Sequence, residues 1–344
     1  MNAAVWAGLF CLVASCGQLL VPSRVYDRPT DLVLGLPVVP VVVLGFSATL
    51  FTTGVILLGE GICRRLGAPS LWTLAVADPA RFARVLLAGA AAGLAMELVA
   101  EWLGRLWIYP YWTVWLYALI VVPGFAFYWL SIVESYLAVK AVLDRIARPS
   151  RSVVLRRSAG LFLLGGSALL VALLLYLHWY AQGYVLAVQH PVGHAPPFWY
   201  ALIAFLGVWA TAEALLSRWG RPSLLGSLRR GYWTPLIAIA GASAVFGVLM
   251  ELQNAVHRHW AYQNWPGGWV AGVPAAVLAA WPLQYATFLV LPLLLAPELS
   301  ALFFTHPTPT PRPLHPLSGP LPRPLSVDHG VNRGLDGVSE PETP

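Results

Sequence analysis

The residues with the greatest chemical capacity in this chain are a few carboxylates set in apolar sequence. Glu97 and Glu101 are one helical turn apart, so they share a helix face. Glu251, Asn254 and Arg258 follow i, i+3, i+7 spacing and share a face in the same way. Each set is accompanied by an arginine and a Trp-x-Tyr pair: Arg105 with Trp107 and Tyr109, and Arg258 with Trp260 and Tyr262. Ionisable groups at membrane depth are costly and by default mark function. Proton transfer is the chemistry such a set offers. Glu97 and Glu251 are the candidate proton donors, with Arg105 and Arg258 orienting or charge-balancing them. Glu101, Trp107, Tyr109, Asn254, Trp260 and Tyr262 are the candidate substrate-lining residues. The competing reading is a buried Glu–Arg pair that holds a turn, with Trp and Tyr as interfacial anchors.

Other polar residues carry weaker signals. Glu60 and Glu213 stand beside Arg65 and Arg218 and precede matched Gly-x-Pro-Ser stretches, which read as a helix stop and a turn. Glu134, near Ser131 and Ser135, either snorkels or hydrogen-bonds a neighbouring helix. His178, His190, His194, His257 and His259 invite a metal site, but their spacing fits no ligand motif. Cys11, Cys16 and Cys63 are too few for a disulfide framework. Val13-Ala14-Ser15-Cys16 resembles a lipoprotein processing box, yet no basic residue precedes Arg24, so the first apolar run is expected to be retained. There is no phosphate-cradling glycine loop, serine-nucleophile elbow or His-Glu-x-x-His motif. Neither a metal nor another cofactor is therefore expected.

The elements that must position these groups follow from composition. Of the 344 residues, 10% are charged and 58% hydrophobic, which cannot cover a soluble surface. The expected fold is an all-α polytopic membrane protein. Apolar runs of about 20 residues give eight transmembrane helices, near 3–21, 33–58, 85–103, 114–138, 159–180, 198–216, 233–253 and 269–296. Pro37, Pro40, Pro123, Pro274 and Pro282 are expected to kink them. Stretches 59–84, 139–158 and 217–232 hold 14 of the 18 basic residues before position 301. By the positive-inside rule these loops are cytoplasmic, as are both termini, in a bacterial inner membrane. Short basic clusters beside spans are a topology signal, so membrane lipids rather than nucleic acid are the expected partners. The proline-rich tail, 305–344, reads as disordered.

The chain also reads as a tandem duplication of a four-helix unit, 1–150 and 151–304. Glu60, Arg65, Gly67, Pro69, Ser70 and Leu71 match Glu213, Arg218, Gly220, Pro222, Ser223 and Leu224 at a constant offset of 153. Gly93, Met96, Glu97 and Leu98 match Gly247, Met250, Glu251 and Leu252 at 154. Arg105, Trp107, Tyr109 and Trp112 match Arg258, Trp260, Tyr262 and Trp265 at 153. Units with an even number of spans insert the same way up, about an axis along the membrane normal.

In the second unit Glu251, Trp260-Ala261-Tyr262, Gly272-Val273-Pro274 and Ala280-Trp281 resemble the carotenoid hydratase family of bacterial carotenoid biosynthesis. The first unit follows more loosely, with Glu97, Trp107-Ile108-Tyr109, Pro123 and Trp129. The order is also similar to membrane lycopene cyclases. Their Pro-x-Glu-Glu signature is absent, because Pro123 is followed by Gly-Phe-Ala and Pro274 by Ala-Ala-Val. The resemblance implies an apolar lipid or isoprenoid small-molecule substrate and intramembrane carboxyls acting as acid. The alternatives are a proton-coupled transporter, with the acids near the bilayer midplane, and a non-catalytic membrane scaffold.

Overall fold

The computed structural model describes residues 2–20, 32–33, 36–104, 106–109, 118–119, 122–146, 158–182, 198–257 and 259–306. Within these, only the backbone is described for 18–19, 32–33, 36–44, 102–103, 158, 180, 256–257 and 298. Arg105, Trp112, His190, His194, Arg258, the His257 side chain and tail residues 307–344 lie outside the description.

Helices dominate. They are α1 (Ala3–Ser15), α2 (Val38–Leu66), α3 (Leu71–Ala77), α4 (Pro79–Glu97), α5 (Val122–Ile146) and α6 (Ser158–Ala181). These are followed by α7 (Phe198–Arg218), α8 (Leu224–Arg229), α9 (Thr234–His257), α10 (Ala275–Val290) and α11 (Ser300–Phe304). Three antiparallel two-stranded ribbons join β1 (Leu32–Val33) to β2 (Leu36–Pro37), β3 (Trp107–Ile108) to β4 (Ala261–Tyr262), and β5 (Trp269–Val270) to β6 (Val273–Pro274).

Among the described residues, seven helices are long and apolar enough to cross a membrane: α2, α4, α5, α6, α7, α9 and α10. The apolar α1 has 13 residues. These segments fit a multi-pass membrane protein. The surface agrees, since Phe162, Leu163, Leu164, Leu170, Leu173 and Leu174 of α6 are all exposed. So large an apolar face is stable when hydrocarbon covers it.

Helix ends depart from the expected spans. α2 continues to Leu66 and α4 begins at Pro79, so Arg64, Arg65, Arg81 and Arg84 are helical rather than in a loop. Lys140 likewise lies within α5, buried, with Nζ 3.0 Å from Asp144 Oδ2. Tyr232 donates to the other Asp144 oxygen at 2.6 Å. Burial and that hydrogen bond push the Tyr232 phenol up from its ordinary value. Of the five prolines expected to kink spans, only Pro282 stands inside a helix. Pro40 and Pro123 occupy first turns, Pro274 precedes α10 and Pro37 is in β2. A missing N–H costs nothing in a first turn.

The matched Gly-x-Pro-Ser stretches adopt the same geometry. Gly67 and Gly220 take φ of +65° and +66° and end α2 and α7. Ala68 N–H then bonds Cys63 O, and Arg221 N–H bonds Leu216 O, both at 2.9 Å. Ser70 and Ser223 cap the starts of α3 and α8. The carboxylate that serves each start differs. Leu224 N–H donates to Glu213 at 3.0 Å, whereas Leu71 N–H donates to Glu134 of α5 at 2.9 Å. Glu60, the sequence match of Glu213, instead pairs with Arg64 at 3.0 Å, not with Arg65.

The core is centred on α5, where Trp129, Ile132, Val133 and Tyr136 are fully buried. Trp129 Nε1 donates to Phe288 O of α10, and Tyr136 donates to Phe303 O. Small residues allow the outer pairs to meet. A Cβ on Gly54 would lie 2.8 Å from Leu12 and 3.0 Å from Gly8 O, and one on Gly207 would lie 2.9 Å from Leu169 and 3.1 Å from Gly165 O. Close backbone approach of this kind is a main source of helix association in lipid. Gly54→Leu and Gly207→Leu are each expected to destabilise the bundle by about 1–3 kcal/mol through overpacking. Gly166→Leu, whose added Cβ meets nothing within 4 Å, should leave thermal unfolding in detergent unchanged.

Candidate functional site

The ends of α4 and α9 are joined by their own Trp-x-Tyr segments. In the β3–β4 ribbon Trp107 is opposite Tyr262 and Ile108 is opposite Ala261. α4 reaches the ribbon through a π-turn over Leu98–Leu103. Widening the helix there frees carbonyls to accept from outside it. Tyr200 donates to Val99 O at 3.0 Å, and Leu106 N–H donates to Ala100 O at 2.9 Å. Gln263 N–H and Trp265 Nε1 both donate to Leu106 O, at 2.8 and 2.7 Å. The second chain half therefore clamps the first at one carbonyl.

Beneath this ribbon lies a cavity of about 340 Å³. Its walls come from the ribbon-side ends of α2, α4, α5, α7, α9 and α10. Most of the lining is apolar and aromatic, including Phe51, Phe125, Phe198 and Trp281. Such a cavity with a few convergent polar groups is the usual form of a small-molecule site. Glu97, 1% exposed, lines it and accepts from Trp107 Nε1 at 3.0 Å. Glu251 is not part of the lining, but it accepts from the hydroxyl of Tyr262, which is. Burial, then the neighbouring Glu251 charge and that hydrogen bond, push the Tyr262 phenol up from its ordinary value. Tyr262 thus keeps its proton as a donor.

No family model, curated protein or solved structure matches the chain.

Of the expected site residues, Glu97, Trp107, Tyr109, Trp260 and Tyr262 line one cavity, and Glu251 joins them through Tyr262. Asn254 is a support rather than a lining group, since its side-chain oxygen accepts from Trp260 N–H at 3.1 Å. Glu101 belongs to the π-turn and does not line the cavity. Arg105 and Arg258 lie outside the described residues, so the Glu–Arg pairing does too. Of the histidines, His259 lines the cavity and is buried, while His178 stacks edge-on against Trp179. Among the described residues no three His, Cys, Asp or Glu side chains could hold a metal ion.

Two polar features escape a search for charged residues. Gln284 Nε2 donates to Tyr128 Oη at 3.1 Å inside the cavity, and it also lies 3.2 Å from Met96 Sδ. Gln253, also on the lining, donates to Ser15 at 2.8 Å and receives from Ser47 at 3.1 Å. A lone amide in an apolar run is the signal that could have found Gln284, whereas Gln253 stands beside Asn254 and Glu251. Tyr262→Phe is expected to lower stability by about 1–3 kcal/mol, because it removes one of the two side-chain hydrogen bonds, from Tyr262 and Asn254, that serve the largely buried Glu251. Adding Glu251→Gln to that variant should cost little more, a non-additivity that a double-mutant cycle in detergent melts would measure.

Proposed function

We propose that the chain is a multi-pass bacterial inner-membrane protein that binds an apolar lipid or isoprenoid molecule in the ribbon-end cavity, with Glu97 and Glu251 as the acid groups. One observation carries this reading. Two carboxylates from corresponding sequence positions converge on a single apolar, aromatic cavity, one at its wall and one behind a tyrosine hydroxyl. In water-poor surroundings a carboxylic acid can hold a proton and deliver it to an alkene carbon. The carboxylate left behind then faces the cation it has created. The few polar groups besides the acids, Tyr128 with Gln284 and His259, would orient an end group. The weak resemblance to carotenoid-modifying membrane proteins points the same way.

The architecture we infer for this protein is a duplicated four-helix unit with eight spans. Several pairs of contacts recur in both halves and support it: the Gly67 and Gly220 stops, the Ser70 and Ser223 caps, and the Gly54 and Gly207 crossings. The ribbon pairs the two Trp-x-Tyr segments antiparallel, as a two-fold axis passing between Ile108 and Ala261 requires. For the eighth span, α1 with its five-residue 3-10 extension reaches roughly 30 Å, the thickness of a hydrocarbon core. With the arginine-rich ends in the cytoplasm, the ribbon and cavity would lie toward the outer face.

Lipid extracts from cells expressing the wild type should differ from those of cells expressing a Glu97→Gln, Glu251→Gln double variant. Product formation should fall roughly 10²–10⁴-fold, the usual contribution of a positioned acid. Wild-type turnover surviving in a folded double variant would sink the acid assignment.

A further inference from the structure

The cavity has a mouth, and its position specifies what enters. α2 and α5 touch closely at their arginine-rich ends, where a Cβ on Gly59 would lie 2.8 Å from Glu134 O and Arg145 Nη2 bonds Leu66 O at 3.0 Å. Toward the ribbon the facing residues on these helices line the cavity instead: Gly45, Ala48 and Thr49 on α2, with Gly124 and Phe127 on α5. Among the described residues, a Cβ on Gly45 or Gly124 would meet nothing within 4 Å, so neither glycine is packed against the facing helix. Ala48, Thr49 and Phe127 are the exposed residues among the described lining, and Phe127 is 52% exposed. The rest of the described lining is buried or half-buried, including the part under the ribbon.

All five mouth residues fall within Gly45–Leu66 and Val122–Ile146, segments apolar enough to cross a membrane. With these segments as spans, the mouth opens to the bilayer side of the bundle. Size narrows the occupant further. At about 30 Å³ for each water-sized group, 340 Å³ holds roughly eleven such groups. A whole membrane lipid exceeds that, whereas the terminal segment of a chain fits.

Taking the cavity as a ligand site, as proposed above, we infer that its ligand is a linear apolar chain dissolved in the bilayer. It enters end-first between α2 and α5, so that only its terminal segment lies beside Glu97. The remainder of the chain stays in lipid. Polar groups are accordingly needed only at the enclosed end, which is where Glu97, Tyr128 and Gln284 stand.

The test uses the full chain in phosphatidylcholine vesicles containing a linear alkane with a diazirine at one end, followed by irradiation and peptide mapping. Label is expected on Phe125 and Tyr128 in the wild type. In an Ala48→Phe, Gly124→Phe variant it should fall roughly tenfold, the effect of denying burial to about two methylene groups. Gly166→Phe, on the outward face of α6, should change nothing. Thr49→Trp supplies a second way to fill the mouth if the double variant does not fold. Label confined to outward residues such as Phe162 and Leu174 would overturn the inference. So would cavity label undiminished in folded mouth variants, or cavity label from a charged, water-soluble diazirine that exceeds label from the alkane. The readout needs no turnover. Loss of the acid assignment therefore leaves this result standing, and loss of the entry route leaves the acid assignment standing.

Discussion

A carboxylate buried at membrane depth must take its hydrogen-bond donors from the protein itself, and four such groups organise this bundle. Glu134 and Glu213 take theirs from backbone N–H groups at the starts of α3 and α8. Glu97 and Glu251 take theirs from the side chains of Trp107 and Tyr262. The distinction has consequences for what each acid can do. A helix start offers donors fixed by the helix, and the acid bound to it ties the short helix to the core. Side-chain donors sit on a ribbon above open volume, where a bound molecule can reach the same groups.

The two ends of the bundle therefore have different characters although they use the same residue types. At the arginine-rich end polar groups are consumed by structure. Lys140, Asp144 and Tyr232 close on each other, and Glu60 closes on Arg64. At the ribbon end Gln263 N–H and Trp265 Nε1 clamp Leu106 O, and a cavity remains under the ribbon. Glu97 ends α4, and Glu101 lies in the π-turn that follows it. Only Glu97 faces the cavity.

Much of this was legible in the sequence, for a physical reason. Charges are so expensive in hydrocarbon that the few present had to be informative, and Glu97, Glu251 and the Trp-x-Tyr pairs do meet around one cavity. Helix boundaries were less legible. Arginines mark where the apolar run stops, but the hydrogen-bonded helix continues through Arg64 and Arg65. At the start of α10 the reverse occurs. Apolar Trp269 and Val270 belong to a ribbon, which Gly272 and Ala271 turn with φ of +82° and +50°.

Partner choice was the least legible feature, and Glu60 explains why. It matches Glu213 within a motif that repeats residue for residue, so sequence alone assigns both the same work. Glu134, arriving from α5, takes the helix-start donor in the first half. It can do so because Gly59, without a side chain, admits the Glu134 backbone against α2. A contact between helices some seventy residues apart thus decides which carboxylate serves the helix start and which is left to pair with an arginine. The same logic makes the cavity asymmetric: equivalent acids are held at unequal depth, because Tyr262 intervenes for Glu251 while Glu97 itself forms the wall. Two acids at matched sequence positions thus meet the cavity differently, Glu97 directly and Glu251 through a phenol.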